Sequence, residues 1–229
     1  MKLLVLDTST EWCSAALWLD GQIRARRVLA EQRHSSLLLP MVDELLRAAG
    51  LTLRQLDGIG YGAGPGSFTG LRIACAVTQG LAFGADLPVA GVSTLESIAE
   101  QTGADAVLTV LDARMAEVYW AAYRRDSAGW RAVVAPRLAV PESVAVPVGG
   151  GWVGAGNGFA APGEVLRSRL GSGLVRIDDT LMPDAAAMAP LAARAFERGE
   201  GMDAALAAPV YLRDKVALTI DERRARHSA

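Results

Sequence analysis

Cysteine and histidine are scarce in this chain, with two of each in 229 residues. Cys13 and Cys75 both lie in apolar runs, which excludes a disulfide scaffold and suits a reducing cytosol. His34 and His227 form neither an H-x-x-x-H nor an H-E-x-x-H pair, and a metal site needs several ligands at defined spacing, so no metal and no cofactor is expected. His34 stands beside Ser35 and Ser36 ahead of a helix, where a capping or partner-contact role fits better. An excess of basic charge is also missing. The formal net charge of −2 argues against a stand-alone nucleic-acid binder, so any such contact is expected to be shared with a partner. Long hydrophobic runs are absent too: the apolar start Leu3–Leu6 stops at Asp7, too short for a signal core or a membrane span, and a cytoplasmic protein is expected.

What is present is concentrated between Tyr61 and Arg72, which read YGAGPGSFTGLR. Gly62, Gly64, Gly66 and Gly70 surround Pro65 and permit backbone geometry closed to other residues, while Ser67 and Thr69 can cap a following helix. A strand, a glycine turn and a helix N-terminus can form an anion site. No Lys follows the glycines, so this is not G-x-x-x-x-G-K-[ST], and their spacing does not match G-x-G-x-x-G. A tight structural turn and a phosphate cradle both remain open, the turn being preferred.

The order of elements is βββαβαβα. Leu3–Asp7 reads as a buried strand, and Ser14–Leu19 and Gln22–Leu29 flank Asp20-Gly21, the signature of a type I′ hairpin. A helix is expected from Ser36 to Ala49, with Pro40 tolerated near its first turn and Gly50 at its stop. Leu56–Tyr61, the helix Leu71–Phe83, Pro88–Val92 and a helix opened by Ser93-Thr94-Leu95-Glu96 at capping-box spacing complete the first half. Then the opening returns. Ala106–Asp112 mirrors Lys2–Asp7 and is followed by Glu117–Tyr123 and Arg131–Leu138, which implies duplication. Val146–Ala155, a GAGNG turn, a helix to Leu170, a strand near Val175 and a helix Asp184–Arg198 follow. The expected division is a first lobe, residues 1–103, carrying partner-binding helices, and a second lobe with its tail, residues 104–229. Asp221–Ala229 reads as a charged, solvated tail.

A duplicated frame of this kind brings the carboxylates that end the first strands, Asp7 and Asp112, to the cleft between lobes. The hydroxyl-rich run Thr8-Ser9-Thr10 can cap itself or line a phosphate, so Asp7, Thr8, Ser9 and Thr10 are candidates for a vestigial phosphate site. Ser67 lacks a partner histidine in any workable triad order. No catalytic residue is assigned.

The two helices beside the glycine turn carry more apolar arc than the ~100° stripe of an ordinary surface helix. Either both are buried within the lobes or another chain covers them, and the second account is preferred. The candidate partner face comprises Leu37, Leu38, Met41, Val42 and Leu45 on the first helix and Leu71, Ala74, Cys75 and Thr78 on the second.

The segments LLVLDTST, RHSSLLLPMVDELL, GIGYGAGPGSFTGLRIA and PVYLRDKVA together make the chain resemble the TsaB (YeaZ) family over nearly its whole length, GPGSFTGLR being the most specific of them. The resemblance implies an α/β fold, the duplicated actin-like and sugar-kinase-like (RNase H-like) ATPase fold with a reduced second lobe. It implies an accessory, non-catalytic subunit in the making of threonylcarbamoyladenosine beside the tRNA anticodon. Implied partners are the catalytic paralogue TsaD, the ATPase TsaE, a second copy of the chain when alone, and tRNA through the complex. TsaD carries a histidine-pair metal site that this sequence lacks. The alternative is an autonomous ATPase or peptidase-like enzyme of the same fold.

Overall fold

The structure is a computed structural model and describes residues 1–160 and 164–213; the tail 221–229 lies outside them. In chain order the elements are β1 (Lys2–Asp7), β2 (Trp12–Leu19), β3 (Gln22–Leu29), α1 (His34–Ala49), β4 (Gly58–Gly64), α2 (Phe68–Ala85), β5 (Val89–Ser93), α3 (Thr94–Gln101), β6 (Ala106–Asp112), β7 (Val118–Asp126), β8 (Gly129–Ala139), β9 (Val153–Ala155), α4 (Glu164–Leu170), β10 (Arg176–Asp178) and α5 (Ala185–Glu197). The strands form two five-stranded sheets, ordered β3-β2-β1-β4-β5 and β8-β7-β6-β9-β10. In both, the first three strands are antiparallel and the last two join in parallel. One topology is thus used twice, as in the duplicated actin-like fold.

Local chemistry explains most boundaries. Asp20 (φ 50°) and Gly21 (φ 94°) both take the left-handed region, as a two-residue type I′ turn between β2 and β3 requires. Gly50 ends α1 at φ 66°, and the Ser93 hydroxyl accepts the Glu96 N–H at 3.3 Å to open α3. Three expectations are corrected. Helix α1 starts two residues before Ser36, which leaves Pro40 beyond its first turn, and α2 starts at Phe68, because Ser67 rather than a later residue is its cap. The strand expected over Val146–Ala155 contracts to β9, since Gly149 (φ 98°) and Gly151 (φ 81°) adopt backbone that cannot continue a strand.

Alternation along β1 divides its side chains between two cores. Leu4 and Leu6 pack with α1 and α2, and Leu3 and Val5 pack with Met188, Ala189 and Ala192 of α5. In the second sheet Leu108 and Val110 face Phe159, Leu166 and Leu170, while Val107 and Leu111 face Leu95 and Ile98 of α3. The lobes therefore exchange helices. Helix α3 follows the first sheet and covers the second, and α5 follows the second sheet and covers the first. After α5 the chain stays with the first sheet, where Met202 bridges Val89.

Candidate functional site

The turn after β1 is enclosed by the glycine segment. Thr8 Oγ1 donates to the Gly70 carbonyl at 2.7 Å, Ser9 Oγ donates to Asp7 Oδ2 at 3.0 Å, and Thr10 Oγ1 accepts the Trp12 N–H at 3.2 Å. Every hydroxyl of the candidate phosphate run is engaged within the chain. The Ser67 N–H donates to the Ser9 carbonyl at 2.7 Å, which draws the start of α2 against the same turn. A Cβ on Gly62 would overlap Asp7 Oδ1, one on Gly66 would lie 2.5 Å from the Ser9 carbonyl oxygen, and one on Gly70 would overlap the Thr8 carbonyl oxygen. Of the four glycines only Gly64 has a positive φ, 128°. Close backbone approach, rather than left-handed backbone, is what Gly62, Gly66 and Gly70 supply.

Asp7, Thr8 and Ser9 are consequently buried. Burial is the chief cause that pushes the Asp7 carboxyl up to about 7, against the opposing hydrogen bonds from Ser9, and its Oδ1 has no hydrogen-bond partner among the described residues. A cleft of ≈ 430 Å³ does lie between the lobes, lined by Ser9, Thr10, Ser67, Asp112 and Asn157 among others, but neither Asp7 nor Thr8 reaches it. The two strand-end carboxylates are not brought together as expected, because Asp7 follows Leu3 and Val5 on the face of β1 that packs on α5 and lies beside Gly62 of β4 and Met188 of α5. Asp112 stays at the cleft, where it pairs with Arg114 at 3.3 Å and its own N–H donates to Asn157 Oδ1 at 3.0 Å. His34 is buried at the start of α1, and its Nε2 donates to the Thr10 carbonyl, 2.9 Å away. That contact is a brace for the turn. Among the described residues no three His, Cys, Asp or Glu side chains gather as metal ligands. Both thiols are buried; Cys13 is pushed up to about 11 by burial, and Cys75 donates to the Ala207 carbonyl at 3.4 Å.

Helices α1 and α2 present a different surface from the one expected. Leu38, Met41, Val42 and Leu45 form one stripe against the first sheet, and Leu71, Ala74, Cys75 and Thr78 are buried as well. Leu37 is only partly buried. One sheet covers the ~100° stripe that a single face can bury, and the apolar residues outside that stripe are left at the surface. These are Leu39, 47% exposed, and Phe83, 63% exposed, with Ala76, Gly80 and Gly84 exposed along α2 and Ile73, Val77 and Leu81 half-buried beside them. A Cβ on Gly80 or Gly84 would meet nothing within 4 Å.

Two groups were not singled out by residue type. Glu100 on α3 accepts from Arg125 Nη2 at 3.0 Å, Trp130 Nε1 at 2.6 Å and Arg194 Nη2 at 3.3 Å, tying β7, β8 and α5 at the lobe junction. Residues 202–213 form a strap: the Val210 N–H donates to the Ala63 carbonyl at 2.7 Å, Gln79 Nε2 donates to the Ala204 and Ala207 carbonyls, and the Ala208 N–H donates to Tyr61 Oη at 3.0 Å. The conspicuous PVYLRDKVA run is the signal that could have pointed to it, since Val210, Tyr211 and Arg213 lie there. No described helix is long and apolar enough to cross a membrane.

Known proteins share this architecture and sequence. A family model described as TsaD, tRNA N6-adenosine threonylcarbamoyltransferase, matches residues 28–219. The tRNA threonylcarbamoyladenosine biosynthesis protein TsaB of Escherichia coli (strain K12) is 42% identical over 95% of this chain and 96% of its own. The protein of the same name from Haemophilus influenzae is 36% identical over 94% of this chain and 95% of its own. The solved structure of YeaZ from Pseudomonas aeruginosa is 41% identical, with a TM-score of 0.82 over 92% of this chain and 99% of that one. With near-complete coverage on both sides, sequence identity of 36–42% and a closely matching fold, the chain belongs to the TsaB (YeaZ) family.

Proposed function

We propose that the chain is a non-catalytic scaffold subunit in tRNA threonylcarbamoyladenosine synthesis, acting in the cytoplasm. It seats the catalytic paralogue TsaD, together with the ATPase TsaE, and contacts tRNA through that assembly. In this reading residues 1–103 carry the partner face and residues 104–229 form the second lobe and tail. The observation that carries the reading is the exposed line Ala76, Gly80 and Gly84 on α2. A helix-interior glycine is less favourable than alanine by ~1 kcal/mol, and none of the described residues occupies the place of the missing side chains. A second chain packed close against α2 supplies the reason, with Leu39 and Phe83 as apolar flanks. The same face used twice about a two-fold axis gives a homodimer when the paralogue is absent.

The face differs from that expected on sequence grounds. Leu38 and Val42 belong to the core, so a charge there would unfold the lobe rather than test an interface. Gly80→Glu and Ala76→Glu are the informative substitutions. An interface of ~1,600 Å² with an unpaired charge near its centre is weakened by several kcal/mol, more than ~100-fold in affinity. Sedimentation of the purified variants, alone and mixed with TsaD, is expected to show loss of both associations while circular dichroism shows the monomer still folded. Intact binding in a folded double variant places the interface elsewhere. The enzyme alternative is separated by assaying the pure chain for nucleotide turnover and peptide cleavage, and none is expected.

A further inference from the structure

We propose that Arg213 is the pin of a releasable latch by which the strap, residues 202–213, holds the two lobes closed over the cleft. The strap's attachments to the two lobes are of different kinds. To the first lobe it is joined along its length, by the Val89–Met202 bridge, by burial of Ala204 and Ala207 in the core of α1 and α2, and by the backbone bond from Val210 to Ala63. Tyr211 then stacks on Phe68 with ring centroids 5.1 Å apart and accepts from Arg72 Nε at 3.0 Å, which ties the strap to the first turn of α2. Across the cleft, every hydrogen bond and ion pair from the strap to the second lobe among the described residues uses Arg213. Its Nη2 donates to the Ala113 carbonyl at 3.0 Å and lies 3.4 Å from the Arg114 carbonyl oxygen, and its Nη1 pairs with Glu117 at 2.7 Å. Leu212 adds a half-buried apolar contact to the cluster around α3.

The loop that Arg213 grips is itself held in costly backbone. Arg114, Met115 and Ala116 have φ of 61°, 58° and 59°, a run of left-handed residues without a glycine. Release of Arg213 frees a loop that has conformational reason to move. Because α3 and α5 also join the lobes through apolar packing that does not involve Arg213, loss of the pin leaves the lobes joined there and opens the mouth. Strap residues 210–213, the 113–115 loop and the start of α2 all line that mouth.

The test is amide hydrogen exchange of the full chain carrying Arg213→Glu, Glu117→Arg, or both. Each single variant is expected to exchange ~10-fold faster at residues 113–117 and also at residues 66–68 on the opposite wall, with β1 and β6 still protected. The double charge swap rebuilds the ion pair but not the bonds to the Ala113 and Arg114 carbonyls, and is expected to restore part of the protection at both walls. Faster exchange at 113–117 alone reduces Arg213 to a local brace and overturns the latch, as does unchanged exchange at both walls. Equal loss of protection in β1 and β6 overturns it too, since Arg213 is then part of the global fold. Should Arg213→Glu fail to fold, Glu117→Gln removes the ion pair from a surface loop and is held to the same two-wall criterion.

Discussion

The Thr8 hydroxyl donates to the Gly70 carbonyl at 2.7 Å, and a side chain on Gly70 would drive into the Thr8 carbonyl oxygen. These two residues fasten the end of the first strand to the first turn of α2. In a related nucleotide-binding frame the space between such elements admits phosphate oxygens. Here the chain's own backbone fills it, and the cleft begins at Ser9, with Asp7 and Thr8 shut away from it.

Gly70→Ala is expected to destabilise the protein by ~1–3 kcal/mol or more, because the new methyl meets main chain that cannot step aside. Gly80→Ala is expected to do the reverse, stabilising the monomer by up to ~1 kcal/mol, since its Cβ meets empty space and alanine is the better helix former. Chemical denaturation of both variants beside the parent checks the pair. Equal effects of the two substitutions would contradict the distinction between a glycine needed inside the chain and one left open at its surface.

Stability is expected to fall as pH rises from about 4 to about 7. Burial raises the Asp7 carboxyl from 3.8 to about 7, so the folded state keeps a proton that the unfolded chain has released, and the folded state loses that advantage across this window. Burial likewise raises Glu96 from 4.5 to about 7, opposed by Arg194 and Arg198, and adds a slope of the same sign. Together the effect is of order a few kcal/mol, flat again above neutrality. Asp7→Asn and Glu96→Gln are each expected to flatten the profile, as measured by urea denaturation from pH 4 to pH 8. A slope that persists undiminished in the double variant would assign it to other groups.

Removing the Glu100 carboxylate is expected to loosen the junction between lobes. Glu100→Ala leaves Arg125, Arg194 and the Trp130 indole N–H without their common acceptor, at a cost of roughly 1–3 kcal/mol, and Glu100→Gln, which keeps one acceptor oxygen, costs less. The exposed pair Arg198–Glu200, 2.6 Å apart, provides the comparison: Glu200→Ala is expected to shift stability by under ~1 kcal/mol. Thermal melts of the three variants rank them, and a Glu100→Ala protein as stable as Glu200→Ala would remove the junction role.

What the amino-acid sequence determined by itself was local or repeated. Asp20-Gly21, Gly50 and Ser93 act on neighbours within four residues, so their turn, stop and cap could be read without knowing the rest of the fold. The return of β1 as β6 was legible because duplication leaves two similar strings. Tertiary structure decided what depends on which distant backbones meet. The apolar arc of α1 and α2 could have been all core or all interface. The first sheet covers only one stripe of it, leaving Leu38 and Val42 inside and Leu39 outside. The reason for Gly62, Gly66 and Gly70 lies in the turn of residues 7–9, more than fifty positions away, whose carbonyls and carboxylate occupy the space a Cβ would need. The exchange of α3 and α5 between lobes, and the reach of Arg213 to a loop one hundred residues earlier, have no local signature. Both are set by which apolar face each sheet leaves uncovered once its own strands have paired.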